Sequence, residues 1–130
     1  MAPRRRDPFT PVAAIGRTLP DVELSTTWGK PTLKVGGTMF ACIASHKSAE
    51  PDTLVVMMDI ADRDALIADD PGTYYLKDHY VGYPCVLVRL RRVGADALHG
   101  LLVGAHRYIS RKKKTPRRQT GPAAKRQTRR

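Results

Sequence analysis

Apolar residues in this 130-residue chain are spaced by three or four near the N-terminus, by two through the middle, and by three or four again near residue 100. A first helix is predicted after Thr10-Pro11, which pairs an N-cap residue with a proline at the first helical position. Val12, Ile15 and Leu19 then follow at near-helical spacing. The pattern therefore predicts one short helix before the first strand.

Four strands rich in β-branched and aliphatic residues are predicted next, over 23–28, 32–35, 38–45 and 53–58. Gly36-Gly37 joins the second strand to the third, and both glycines reach positive φ at low cost, as a type I′ hairpin turn requires. Gly29-Lys30-Pro31 makes the preceding tight connection. The ring of Trp28, just before it, either covers the edge of the core or projects as a contact residue, and core cover is the favoured expectation.

The second half of the chain predicts two further helices and two strands. A helix capped by Asp59 is expected over 60–69, a strand over 73–77, a turn over 78–84, a strand over 85–91 and a helix over 94–110. Alternation along 85–91 indicates one dry face and one solvent-facing face. Gly100 and Gly104 are expected to let the last helix pack closely on the sheet.

This order of elements predicts an α+β fold, a two-layer antiparallel β-sheet with the helices packed on one face. The length suits a single hydrophobic core. We place the domain at residues 9–110, between a disordered basic N-terminus at 1–8 and a disordered basic tail at 111–130. The tail consists mainly of Lys, Arg, Gln, Thr and Pro and has no apolar period.

The net charge of +11 is concentrated at the two ends of the chain. Residues 111–130 carry ten Lys or Arg and no acid, whereas residues 11–110 carry ten basic and eleven acidic groups. The predicted body is therefore close to neutral. Electrostatic attraction to phosphate is expected to begin at the ends.

Three segments of the chain together resemble a known family: STTWGKPTLKVGGTMFA, DTLVVMMDIADRDAL and HYVGYPCVLVRLRRV. In this order and spacing they are similar to the MmcQ/YjbR-like family, over about residues 10–110. The resemblance implies a CyaY-like (frataxin-like) two-layer fold with a double-wing motif, and DNA binding by analogy of fold. The chain departs from the family pattern at Cys85, where an aromatic residue is expected, and in its long basic tail.

No catalytic motif is present, and we expect a non-enzymatic protein without cofactor or metal. Neither a nucleophile elbow nor a phosphate-binding Walker loop occurs. His99 and His106 share a helix face, yet about 10 Å of helix rise separates them. Cys42 and Cys85 are expected to be reduced core residues. No run is long enough to cross a bilayer and no signal peptide is recognisable, so a cytoplasmic location is predicted.

Nucleic acid, DNA ahead of RNA, is the predicted partner, and two surfaces are candidates. The tail offers sequence-blind contacts with phosphate, and the alternative for it is a solubilising or purely disordered extension. The predicted contacts on it are Arg111, Lys112, Lys113, Lys114, Arg117 and Arg118. The open sheet face offers Lys30, Lys34, Arg89 and Arg91, with Tyr80 and Tyr83 as residues that stack on bases. The alternative for the arginines is an ordinary solvent-facing position beside acidic partners.

Two other functions fit the same residues. A protein-interaction module similar to secretion chaperones uses an exposed sheet edge or face for a partner segment or a second copy. A frataxin-like role in binding iron or a small ligand uses the Asp-rich helix at 60–69. A chain without a nucleic-acid role also remains open, and we expect a monomer or a weak homodimer.

Overall fold

A computed structural model describes residues 8–114, with side chains to residue 112. The elements are α1 (Thr10–Gly16), β1 (Val22–Thr27), β2 (Lys30–Val35), β3 (Thr38–Ile43), β4 (Thr53–Met57), α2 (Ile60–Asp69), β5 (Tyr74–Tyr75), β6 (Cys85–Arg89) and α3 (Ala95–Lys114). A 3₁₀ turn at Asp78–Tyr80 precedes β6. Every predicted element is present and in the predicted order. The N-cap of α1 is Phe9 rather than the predicted Thr10, which is already the first helical residue.

The last helix differs most from its prediction. It continues to Lys114, four residues past the predicted end, because Arg111–Lys114 are good helix formers and the first helix-breaking residue is Pro116. The first four residues of the predicted disordered tail are therefore helical. Residues 1–7 and 115–130, where disorder is also predicted, lie outside the described residues.

The six strands form one sheet in the order β1-β2-β3-β4-β6-β5, and every neighbouring pair is antiparallel. Gly36 and Gly37 have φ of 60° and 81°, as the predicted type I′ turn between β2 and β3 requires. The turn between β1 and β2 is Trp28-Gly29, with the same signs of φ, 53° and 77°, whereas Gly29-Lys30-Pro31 is the predicted connection. Lys30 and Pro31 belong to β2. The predicted α+β class with an antiparallel sheet is confirmed.

The main core lies between the sheet and the three helices. Alternate strand residues such as Leu33, Leu54 and Val86 face it, and Leu102 of α3 meets them. The register of β2 and β3 shifts between Leu33 and Lys34, which makes Phe40 the extra residue of a β-bulge. The bulge turns Phe40 into the core next to Ala41, where its ring meets the edge of His106 in α3.

The opposite face of the sheet is covered over β4 and β6, which corrects the prediction of an open face there. A second buried cluster consists of Cys42, Val55, Tyr75, Tyr80, Cys85 and Leu87. Leu76 and Ala49, from the connections before β6 and after β3, pack against it. Both cysteines are free and buried, and burial raises the pKa of each thiol to about 11. They are core residues, as predicted.

Candidate nucleic-acid interface

Arg89 lies at the end of β6, and its guanidinium is bound within the protein. Nε and Nη2 donate to the two carboxylate oxygens of Glu50 at 2.8 and 2.7 Å. Nη1 donates to the carbonyls of Pro71 and Gly72, and the guanidinium carbon lies 4.1 Å from the centre of the Tyr75 ring. Four of the five N–H groups are therefore satisfied internally. These contacts favour the structural interpretation of Arg89 over contact with phosphate.

The loop between β3 and β4 supplies the acidic partners on this side of the sheet. Glu50 pairs with Arg89, and Asp52 accepts from Nε of Arg91 at 2.8 Å. The hydrogen bonds from Arg89 lower the pKa of Glu50, so the carboxylate stays charged at neutral pH. Arg91 keeps 65% of its side chain exposed. Each arginine is thus locally neutralised.

Lys30 and Lys34 are the basic residues of β2, and they share one face of that strand. Lys30 is exposed and Lys34 is partly buried. Strands β3 and β4 separate them from Arg89, a distance of about 14 Å across the sheet. The four predicted sheet-face cations therefore form two groups rather than one patch.

The two predicted stacking tyrosines have different environments. Tyr80 is buried in the second cluster, and burial raises its pKa, with a smaller opposing effect from a hydrogen bond to the backbone of His46. Tyr83 is 55% exposed. Nη1 of Arg63, in α2, donates hydrogen bonds to the carbonyls of Tyr83 and Val81. Of the two, only the Tyr83 ring is placed to meet a base.

His46 and His79 contact each other, although the sequence places them in separate loops. Their rings stack at 3.7 Å between centres with an interplanar angle of 11°. Nδ1 of His46 also bonds with the Ser48 hydroxyl at 2.7 Å. Desolvation, His79 and Lys47 together lower the pKa of His46. The pair joins the loop after β3 to the 3₁₀ turn.

A groove of about 1270 Å³ runs between α2 and α3. Asp59, Asp62 and Asp69 line it from the α2 side, and Arg107, Arg111 and Lys112 line it from α3. Gly100 and Gly104 also face it, and a Cβ on either would meet no heavy atom within 4 Å. The prediction that these glycines pack α3 on the sheet is therefore wrong.

The predicted tail contacts begin inside α3. Lys112 lies in its last turns, with Nζ 5.1 Å from the centre of the Tyr108 ring. The helical backbone includes Lys113 and Lys114. Arg117 and Arg118 lie outside the described residues. The described structure thus carries the start of the basic segment on a packed helix.

Trp28 has an environment different from the favoured prediction. It lies at the tip of the β1–β2 hairpin with 85% of its surface exposed, instead of covering the core edge. The signal was present in the sequence: a Trp-Gly pair between strands two residues apart must occupy the turn itself. A side chain at that position points away from both strands.

Among residues 8–114, no three His, Cys, Asp or Glu side chains come together as a metal-binding group. In the same part of the chain, no helix combines the length and apolarity that a membrane span needs.

Comparison with known proteins gives a family match and a solved structure of similar fold. The family model described as YjbR matches residues 17–108. Uncharacterized protein Rv2570 of Mycobacterium tuberculosis and uncharacterized protein Mb2600 of Mycobacterium bovis are each 49% identical to the chain over 41 residues. That alignment covers 32% of this chain and 32% of each relative, so the chain matches about a third of their length. The crystal structure of Deinococcus radiodurans protein DR2400, with the family-model domain DUF419, has a TM-score of 0.67 and 21% identity, and covers 82% of this chain and 80% of that one. It shares the fold.

Proposed function

The chain belongs to the YjbR family, and from that premise we propose a non-enzymatic protein that binds DNA with little sequence preference through the end of α3 and the residues after it. The observation that carries the proposal is the continuity of α3 into the basic segment. Arg107, Arg111 and Lys112 lie on a helix packed against the core. Residues 115–130 add six Lys or Arg and no acid.

Charge on the rest of the molecule supports this location. The carboxylates of Glu50 and Asp52 pair with Arg89 and Arg91, so the sheet face offers little net positive charge to phosphate. On the groove side, the α2 carboxylates face the basic residues of α3. The excess of cations therefore begins where α3 leaves the body. Attraction of this kind is sequence-blind and falls steeply with salt.

Neither thiol is a candidate nucleophile in this proposal. Burial keeps the pKa of Cys42 and Cys85 at about 11, so both are protonated at neutral pH. A protonated, buried thiol is a poor nucleophile and a poor metal ligand.

The proposal is tested with a labelled 20-base-pair duplex and anisotropy titrations between 50 and 200 mM NaCl. The variant is the full chain with six cations changed to Gln: Arg117, Arg118, Lys125, Arg126, Arg129 and Arg130. We expect at least tenfold weaker binding at the lowest salt and a shallower dependence of log affinity on log salt, since fewer counterions are released.

A control variant removes cations from the body instead. Arg91→Gln with Arg92→Gln takes two charges from the turn that follows β6 and is expected to change affinity by less than about threefold. Equal binding and an equal salt slope in the six-residue variant would show that the tail does not carry the interaction. A tenfold loss in the control alone would move the site to the sheet.

A second candidate, the protein-interaction module, is favoured by the edge of the sheet at β1, which among residues 8–114 pairs with β2 alone. β1 is an outer strand of six residues, and Leu24 on it is 43% exposed. An unpaired edge of this length accepts an added strand. Sedimentation at 0.3 M NaCl distinguishes the two, because self-association through β1 raises the measured mass with concentration whereas phosphate binding does not require it.

A further inference from the structure

The tip of the β1–β2 hairpin presents a large aromatic ring that the fold does not use. Trp28 is 85% exposed, and among residues 8–114 its indole makes no hydrogen bond and no ring contact. A tryptophan at a folded domain's surface usually packs part of its ring on a neighbour. This ring adds nothing to the core.

The backbone under the ring is unfavourable for tryptophan. Its φ of 53° lies in the left-handed region, where a bulky residue is an outlier and glycine or asparagine is favoured. The next hairpin makes a turn with the same signs of φ from Gly36 and Gly37. The turn therefore does not require Trp28. An unfavourable conformation retained at an exposed tip points to a contact outside the fold.

The surroundings of the ring decide what kind of contact it is. Its neighbours in the hairpin are Thr27, Gly29 and Lys30, so the ring is flanked by small and polar residues, and Leu24, another exposed apolar residue of the hairpin, lies four positions away. Lys30 is exposed, and none of the ion pairs among the described residues involves it. A lone aromatic platform beside a cation is the arrangement that holds an unpaired base and its phosphate.

We propose that Trp28 and Lys30 form a contact for single-stranded nucleic acid, with the indole stacked on an unpaired base. The inference rests on the proposed function, since the basic segment supplies the affinity that brings a strand to the hairpin. Stacking accepts any base, which agrees with binding of little sequence preference. A base inside a duplex is already stacked on its neighbours, so the hairpin prefers single strands.

The chain's one tryptophan makes the test direct, because emission excited at wavelengths that tyrosine does not absorb reports on residue 28 alone. The probes are a 12-nucleotide oligothymidylate and a duplex of the same length, each added to the full chain at low salt. We expect the oligothymidylate to quench Trp28 emission at saturation and the duplex to quench it much less.

Variants at residue 28 test the energetic contribution through anisotropy of the labelled probes. Trp28→Asn removes the ring and should weaken binding of oligothymidylate about tenfold while changing duplex binding less than twofold. Trp28→Phe keeps a smaller ring and should fall between the two. Leu24→Ser, on the same hairpin, is the matched control and should bind as the parent chain does.

The asparagine variant also separates lost contact from lost folding. Asn-Gly is the preferred dipeptide of a type I′ turn, so the thermal midpoint of Trp28→Asn should equal or exceed that of the parent chain. A weaker affinity in a protein of equal stability is then a direct effect on binding.

Several results would overturn the inference, and they can be distinguished from results that would overturn the proposed function. Unchanged Trp28 emission at saturating oligothymidylate, or equal losses on both probes in Trp28→Asn, removes the hairpin contact while DNA binding by the tail stands. If the parent chain binds neither probe, both proposals fail. Two further outcomes apply if oligothymidylate does not quench the emission. A blue shift on phosphatidylserine vesicles would show that Trp28 contacts a membrane. A blue shift with protein concentration alone would show that it contacts a second copy of the chain.

Discussion

Arg89 shows how one residue's surroundings decide its role. From the sequence it is a basic side chain at the end of a strand, available to phosphate. In the fold its donors meet the Glu50 carboxylate and the carbonyls of Pro71 and Gly72, while its plane lies near Tyr75. It joins the loop after β3 to the loop before β5. We therefore expect substitutions at Arg89 to affect folding first.

Arg89→Ala should lower the free energy of unfolding by about 1 to 2 kcal/mol, through loss of the two carbonyl hydrogen bonds and the contact with the tyrosine ring. Arg91→Ala is the matched control, since Arg91 makes one ion pair at an exposed position and should change stability by less than about 0.5 kcal/mol. Urea denaturation measures both. Equal effects of the two substitutions would contradict the structural role of Arg89.

The Glu50 carboxylate makes a further prediction, on pH. Hydrogen bonds from Arg89 lower its pKa in the folded protein, so its contribution to stability is present above the ordinary glutamate pKa of about 4.3. The contribution is lost as the pH falls through the lower folded value. The unfolding free energy of the parent chain should therefore fall more steeply below about pH 4.3 than that of Glu50→Gln. Parallel curves from acid titrations in urea would argue against the prediction.

At the scale of elements, local sequence signals set where helices and strands begin and end, whereas tertiary contacts set how closely the elements pack. The sequence shows the turn glycines, the proline at the start of α1 and the Asp59 cap. Each lies at the boundary of the element predicted from it. Asp59 accepts from the N–H of Ala61 at 3.1 Å, as a cap should. How closely two elements pack depends instead on atoms that are distant in sequence.

Gly16 and Gly104 provide a matched pair of substitutions for this point. A Cβ on Gly16 would lie 2.8 and 2.9 Å from the two methyl carbons of Leu33, which is fully buried. Gly16→Ala should therefore destabilise the protein by about 1 to 3 kcal/mol. Gly104→Ala meets no atom within 4 Å and should stabilise it by about 0.5 to 1 kcal/mol through helix propensity.

Thermal unfolding of the two alanine variants checks the opposite signs. A stabilising Gly16→Ala would mean that α1 moves away from β2 at little cost. A destabilising Gly104→Ala would mean that the groove between α2 and α3 is closed in solution.

Over the whole molecule, most cations and the buried core residues come from different parts of the chain. The buried residues of both clusters come from residues 9–109, whereas residues 1–6 and 111–130 carry thirteen of the 23 Lys or Arg. The packed body is nearly neutral and presents its cations in separated groups. The proposed binding of nucleic acid therefore combines a basic end, which attracts, with a hairpin tip, which makes contact.

The elements, their order and the antiparallel pairing follow from the sequence alone, because periodicity, caps and turn residues act over a few positions. Tertiary structure alone decided the environments of Arg89 and Trp28. Arg89 meets Glu50 across 39 residues of chain, and no local pattern predicts that pair. The helices cover the centre of the sheet but leave the β1–β2 tip in solvent. Trp28 therefore remains exposed, although its large apolar ring suggests a core residue. Burial depends on which elements meet, and that is a property of the assembled fold.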